Sequence, residues 1–135
     1  MKNICFLIDH PFDLVLFLGL KNILEKEFGI VYTIALVTSH RYFLKAEDTD
    51  KFLEEFNEVV KVSQPSFQKN IIKNIMVARE FIKTVRGIDK LHPDTQFLSA
   101  NRSELTTQLL MKYAKNHVIR ILQRNPIDKV SRNFS

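Results

Sequence analysis

The sequence predicts an α/β fold, a Rossmann-like three-layer sandwich around a mainly parallel five-stranded sheet. Short apolar runs recur along the chain, the first of a length and composition suited to a strand buried on both faces in a parallel sheet. Longer segments with helical spacing of apolar residues separate them, as crossover connections between parallel strands require.

Asn3–Ile8 is the first such run, closed by Asp9-His10-Pro11. From Phe12 to Phe28 the residues Phe12, Val15, Leu16, Leu20, Ile23 and Leu24 recur at helical spacing, with Asp13 in the first turn and Gly29 past the end. Leu14, Phe17 and Leu18 extend the apolar surface nearly all round, so this helix is expected to be well buried. Ile30–Val37 is β-branched and unbroken, a second interior strand. A short helix is expected around Lys51–Phe56 after the acidic stretch Glu47–Asp50, and Glu58–Val62 reads as a third strand. Ser66–Arg86 predicts a long helix with Phe67, Ile71, Ile75, Ala78, Ile82 and Val85 on one stripe and Gly87 as its stop. Thr95–Ala100 and Val118–Gln123 complete the strands. Between them Asn101 and Glu104 form a capping box in Asn form for a helix running to about Asn116. The expected organisation is one domain over residues 1–125, with 126–135 a tail after the break at Pro126.

The 135 residues, 45% hydrophobic and 26% charged, suit one domain with its own core. A single cysteine, Cys5, lies inside an apolar run and rules out an internal disulfide framework and a cysteine-ligated zinc site. A reducing, cytoplasmic compartment is therefore expected. No apolar stretch reaches the ~18 residues of a membrane span, and the first apolar run is interrupted by charge in a way that a signal peptide is not. The net charge of +5 is unevenly spread. Residues 1–60 hold six Lys/Arg against ten Asp/Glu, and residues 61–135 hold fourteen against five. The positive second half favours anionic partners such as sugar phosphates, polyanionic glycans, nucleic acid or a membrane surface, and it is also compatible with solvated helix faces. The eleven Phe fall at core spacing and not as stacking platforms, so no nucleic-acid partner is expected.

In a doubly wound sheet, ligands bind outside the carboxyl ends of the strands. The first such turn, Asp9-His10-Pro11-Phe12-Asp13, lacks the glycines of a dinucleotide fingerprint or a P-loop, and no cofactor is expected there. His10 between Asp9 and Asp13 has the make-up of a general base oriented by a carboxylate, and equally that of a helix cap beside Pro11. Ser39-His40-Arg41 sets a hydroxyl, an imidazole and a guanidinium at the end of the second strand, suited to a phosphate or carboxylate or to a solvated turn. Asn101-Arg102-Ser103 precedes a helix start that would favour an anion, although capping alone accounts for Asn101 and Glu104. His92 and His117 have no partner at ligand spacing, and no metal is expected.

The order Ile4-Cys5-Phe6-Leu7-Ile8-Asp9-His10-Pro11-Phe12-Asp13-Leu14, then Tyr32-Thr33-Ile34-Ala35-Leu36-Val37-Thr38, then Ser99-Ala100-Asn101-Arg102-Ser103-Glu104-Leu105 leading to Val118–Gln123, resembles the N-terminal Rossmann-like domain of a GT-B type glycosyltransferase. Within that class it is nearest to the capsule or teichoic-acid polymer enzymes. The resemblance spans residues 2–125. It implies the acceptor-side half of a two-domain transferase acting on a cell-surface polysaccharide, with a nucleotide-sugar donor held by a C-terminal domain and a glycan acceptor in the cleft. Carried over, His10 and Asp13 are the catalytic candidates, and Asp9, Ser39, His40, Arg41, Asn101, Arg102, Ser103 and Gln123 the substrate-binding ones. Arg124-Asn125 stands where that pattern has His-Gly, and residues 1–135 are expected to correspond to the acceptor half alone. The expectation is a domain inactive alone, either a fragment of a longer chain or a stand-alone domain, with a homodimer covering an exposed apolar face and the basic residues 61–135 facing an anionic acceptor or the inner face of a membrane. The rival expectation is a stand-alone binding or assembly module for a phosphorylated small molecule or a protein partner.

Overall fold

A computed structural model describes residues 2–29, 31–39, 46–65, 69–100 and 104–121. Along the chain run β1 (Lys2–Ile8), α1 (Pro11–Phe28), β2 (Val31–Ser39), α2 (Ala46–Leu53), β3 (Glu58–Ser63), α3 (Ile71–Leu91), β4 (Gln96–Ser99), α4 (Glu104–Tyr113) and β5 (Ile119–Arg120). The strands form one sheet in the order β3-β2-β1-β4-β5, and every pairing is parallel. The α/β, Rossmann-like expectation is met. β1 lies at the centre, with Cys5 opposite Ile34 of β2 and Phe97 of β4.

The unbroken apolar runs follow from this central position, because alternate side chains feed two separate cores. Ile4, Phe6 and Ile8 pack with Leu14, Phe17, Leu18, Leu53 and Phe56 on the face covered by α1 and α2. Cys5 and Leu7 join Ile34, Leu36, Phe81, Val85, Ile88, Phe97 and Leu110 on the face covered by α3 and α4. Phe6 anchors the first core, its ring 5.0 Å from that of Phe17 and 5.7 Å from that of Phe56.

The helices depart from the sequence pattern in which side they bury. α1 turns Leu14, Phe17 and Leu18 inward, with Asp13 and Lys21, and leaves the expected stripe members Phe12, Val15 and Ile23 exposed. Because α1 is apolar nearly all round, its spacing alone does not choose a face, and the sheet does. α3 starts at Ile71, capped by Asn70, whose Oδ1 accepts from the Lys73 amide at 3.2 Å. Its buried residues are Phe81, Val85 and Ile88, whereas the expected core residues Ile71 and Ile75 are 72% and 54% exposed. Gly87 lies inside α3 and does not end it. A helical glycine costs only about 1 kcal/mol relative to alanine, and the packing of Val85 and Ile88 carries the helix through it. α3 ends instead at His92, just before Pro93. The acidic residues Glu47, Asp48 and Asp50 belong to α2 and do not precede it. Gly29, at φ 83° and ψ −147°, closes α1 in a conformation open almost only to glycine, as the sequence predicts.

Candidate functional site

The strand order reverses at β1: the chain leaves it toward β2 on one side and returns from β3 to β4 on the other. The crevice of such a sheet opens at the carboxyl ends of the strands flanking that reversal, here β1 and β4. The β1–α1 turn stands at this rim. Pro11 takes the first helical position of α1, where a missing N–H costs nothing, and His10 is the N-cap in extended backbone.

Two carboxylates are sealed into the turn. Asp9 is 2% and Asp13 1% exposed, and the Asp9 amide donates to Asp13 Oδ2 at 3.2 Å. From β2, Thr38, wholly buried, donates its hydroxyl proton to Asp9 Oδ1 at 2.8 Å and lies 3.4 Å from the Ile8 carbonyl. Behind β4, Ser99 Oγ and Thr107 Oγ1 share a buried hydrogen bond of 2.9 Å. Buried charge is tolerated only when its lone pairs are filled, so these bonds hold the turn in one geometry. Thr38 and Ser99 fall in the strand-end turns where a site is expected but are not among the predicted contact residues, and Thr107 is not predicted at all. Their signal in sequence is faint, because a hydroxyl at the end of an apolar strand, as at Thr38 and Ser99, looks like an ordinary strand ending, and Thr107 lies inside α4.

His10 accepts the Phe12 amide proton on Nδ1 at 3.2 Å, and its ring stacks on Phe12 with centroids 5.0 Å apart and planes at 19°. The neutral imidazole that caps in this way carries its proton on Nε2. Assigned from this bond, the tautomer makes Nε2–H a hydrogen-bond donor, and a general base acting at Nε2 would require the other tautomer. The arrangement is therefore suited to donating to an oxygen of a ligand. Ser39 closes β2 at the same rim. Thus Asp9, His10, Asp13 and the Ser39 backbone are brought together, while His40, Arg41, Asn101, Arg102, Ser103 and Gln123 lie outside the described residues.

The opposite, amino rim carries a second polar group. His92 Nε2 and Glu58 Oε2 are 2.7 Å apart, Tyr32 donates its hydroxyl to the same Glu58 oxygen at 3.2 Å, and the Tyr32 and His92 rings lie 5.0 Å apart. Desolvation first, and the Glu58 charge second, push the Tyr32 hydroxyl above its ordinary range. Cys5 is fully buried, and burial, reinforced by the charges of Asp89 and Glu58, holds its thiol well above the usual value. It is no nucleophile at neutral pH. Among the described residues no group of three His, Cys, Asp or Glu side chains is placed to hold a metal ion, and no helix is long and apolar enough to cross a membrane.

No family model matches the chain, and no curated protein matches it. Among solved structures it is similar to the C-terminal domain of a hydrogenase from Pyrococcus furiosus, with a TM-score of 0.49 and 12% identity, over 92% of this chain and 94% of that one.

Proposed function

We propose that the carboxyl rim of this domain is the acceptor-side wall of a group-transfer site, the role of the first domain in a glycosyl- or polyol-phosphate transferase acting on a cell-surface polysaccharide. The observation that carries the reading is the sealed Asp9–Asp13–Thr38 set at the point where the strand order reverses. It fixes the turn that presents His10, so that the imidazole is held before a ligand arrives. In this reading His10 Nε2–H donates to a hydroxyl or phosphoryl oxygen of the acceptor, and Asp9 and Asp13 position the turn. Ser39, His40, Arg41, Asn101, Arg102, Ser103 and Gln123 supply further contacts. The glycine-free first turn supports an acceptor over a dinucleotide, because side chains there keep a pyrophosphate from the backbone amides.

The test is a titration of the isotope-labelled chain followed by amide chemical shifts. Oligosaccharide or polyol-phosphate acceptors are expected to move the amides of Asp9–Asp13 and Ser39 saturably, and a nucleotide sugar is expected to leave them in place. No shift with any acceptor rejects the reading. Micromolar binding of a nucleotide sugar at this rim would replace it with a stand-alone module for phosphorylated small molecules.

A further inference from the structure

α3 divides sharply along its length. Its half nearer the amino rim is held to the sheet by Phe81, Val85 and Ile88, whereas no residue from Ile71 to Glu80 is buried. In that free half Ile71 and Ile72 are each 72% exposed, Ile75 54% and Met76 65%. At 100° per residue, Ile72, Met76, Arg79, Lys83, Arg86 and Lys90 fall on one outward ridge about 27 Å long. The ridge is apolar at its start and cationic from Arg79 onward. Lys69 and Lys73, both exposed, flank the apolar end. Beside the ridge a shallow groove of about 640 Å³ is lined by Arg79, Lys83 and Arg86 with Glu80 and with Tyr113 of α4. Arg86 stands 5.2 Å and Lys112 Nζ 5.6 Å from the centre of the Tyr113 ring, so the cations gather around an amphipathic aromatic.

From this geometry we infer that α3 docks the domain on the surface of an anionic phospholipid bilayer. Ile71, Ile72, Ile75 and Met76 enter the headgroup region, and the cations along the ridge meet lipid phosphates. Charge complementarity favours this occupant. An interfacial helix needs an apolar segment and neighbouring Lys/Arg, and here Ile72 and Met76 lie on the ridge with the cations while Ile71 and Ile75 flank it. A nucleic acid would use the cations and leave four large aliphatic side chains in water, while a neutral protein partner would use the aliphatic group and leave the cations unmatched. Since α3 begins where β3 ends, docking sets the carboxyl rim close to the membrane plane. The inference rests on α3 alone and stands or falls apart from the role proposed for His10.

The experiment is co-sedimentation of the chain with vesicles of phosphatidylcholine containing about a third phosphatidylglycerol, against pure phosphatidylcholine, at low and high salt. Binding is expected to the anionic vesicles and to weaken with salt. Lys83→Ala with Arg86→Ala is expected to weaken partition about 25-fold, at about fivefold per cation near an anionic surface. Ile72→Ser with Ile75→Ser is expected to weaken it at least about tenfold, since both side chains leave the apolar phase. All four side chains are solvent-exposed, and an unchanged circular dichroism spectrum checks that the variants fold. Failure to bind anionic vesicles overturns the inference, as does binding indifferent to both variants. It is also overturned if the chain is a dimer that Ile72→Ser with Ile75→Ser splits, or if it retains DNA or RNA more tightly than vesicles.

Discussion

The two rims of the sheet hold polar clusters built by different means. At the carboxyl rim Asp9, Asp13 and Thr38 are sealed from water and bonded to one another and to the backbone. At the amino rim Glu58, His92 and Asn57 remain open to solvent, and Thr33 and Asn57 exchange side-chain and backbone bonds. A buried carboxylate costs several kcal/mol in lost hydration unless its acceptors are filled, whereas a half-exposed pair is partly served by water. The β1–α1 turn is therefore a rigid part of the carboxyl rim, fixed by the bonds that offset desolvation. The amino rim is tolerant.

The largest expected effect breaks the sealed end. Asp13→Ala leaves the buried Asp9 amide without the Asp13 carboxylate and should lower stability by about 2–3 kcal/mol in urea unfolding. Thr38→Val keeps the shape and removes the donor to Asp9 Oδ1, with an expected loss of about 1–2 kcal/mol. At the amino rim Glu58→Gln replaces the carboxylate facing His92 with an amide that keeps an acceptor, and should change stability by less than about 1 kcal/mol. Equal losses for Thr38→Val and Glu58→Gln would erase the distinction between the rims.

How much of this was legible in the sequence depends on whether local pattern or tertiary position decides. β1 and β2 were legible because they are buried on both faces, so Ile4–Ile8 and Val31–Val37 need no choice of side, whereas among the described residues β5 is only Ile119–Arg120, both exposed, within the expected Val118–Gln123. The turn at Asp9–Asp13 was legible as a candidate site from its polar residues at a strand end. The burial of its carboxylates was not, because it depends on Thr38, which is 29 positions away from Asp9. The helix faces were misread for a related reason. Phe12, Val15 and Ile23 match a helical period as well as Leu14, Phe17 and Leu18 do, and only the position of the sheet separates them. In α3 the apolar residues Ile71 and Ile75 continue a stripe into a half of the helix that buries nothing, so periodicity there marked exposed surface and not core.

The smallest expected effect lies at the amino end, where Asp89 combines features of both rims. Its Oδ2 accepts the Lys115 amide at 2.9 Å, while Oδ1 is buried and has no hydrogen-bond partner among the described residues. Desolvation pushes its carboxyl above the ordinary value, and the Lys115 amide and charge oppose that only in part. The folded protein thus holds this proton more tightly than the unfolded chain does. Between the unfolded value of 3.8 and the raised folded one, stability falls as pH rises, and the penalty is complete at neutral pH. Asp89→Asn retains an oxygen for Lys115 and removes the charge. It should be slightly more stable than the parent at pH 7, with the advantage fading as pH drops through that interval and gone once both carboxyls are protonated. Thermal unfolding of the two proteins from pH 7 to pH 3 measures this directly. A variant less stable than the parent across the range would mean that the ionised carboxylate is as well satisfied here as Asp9 and Asp13 are at the opposite rim.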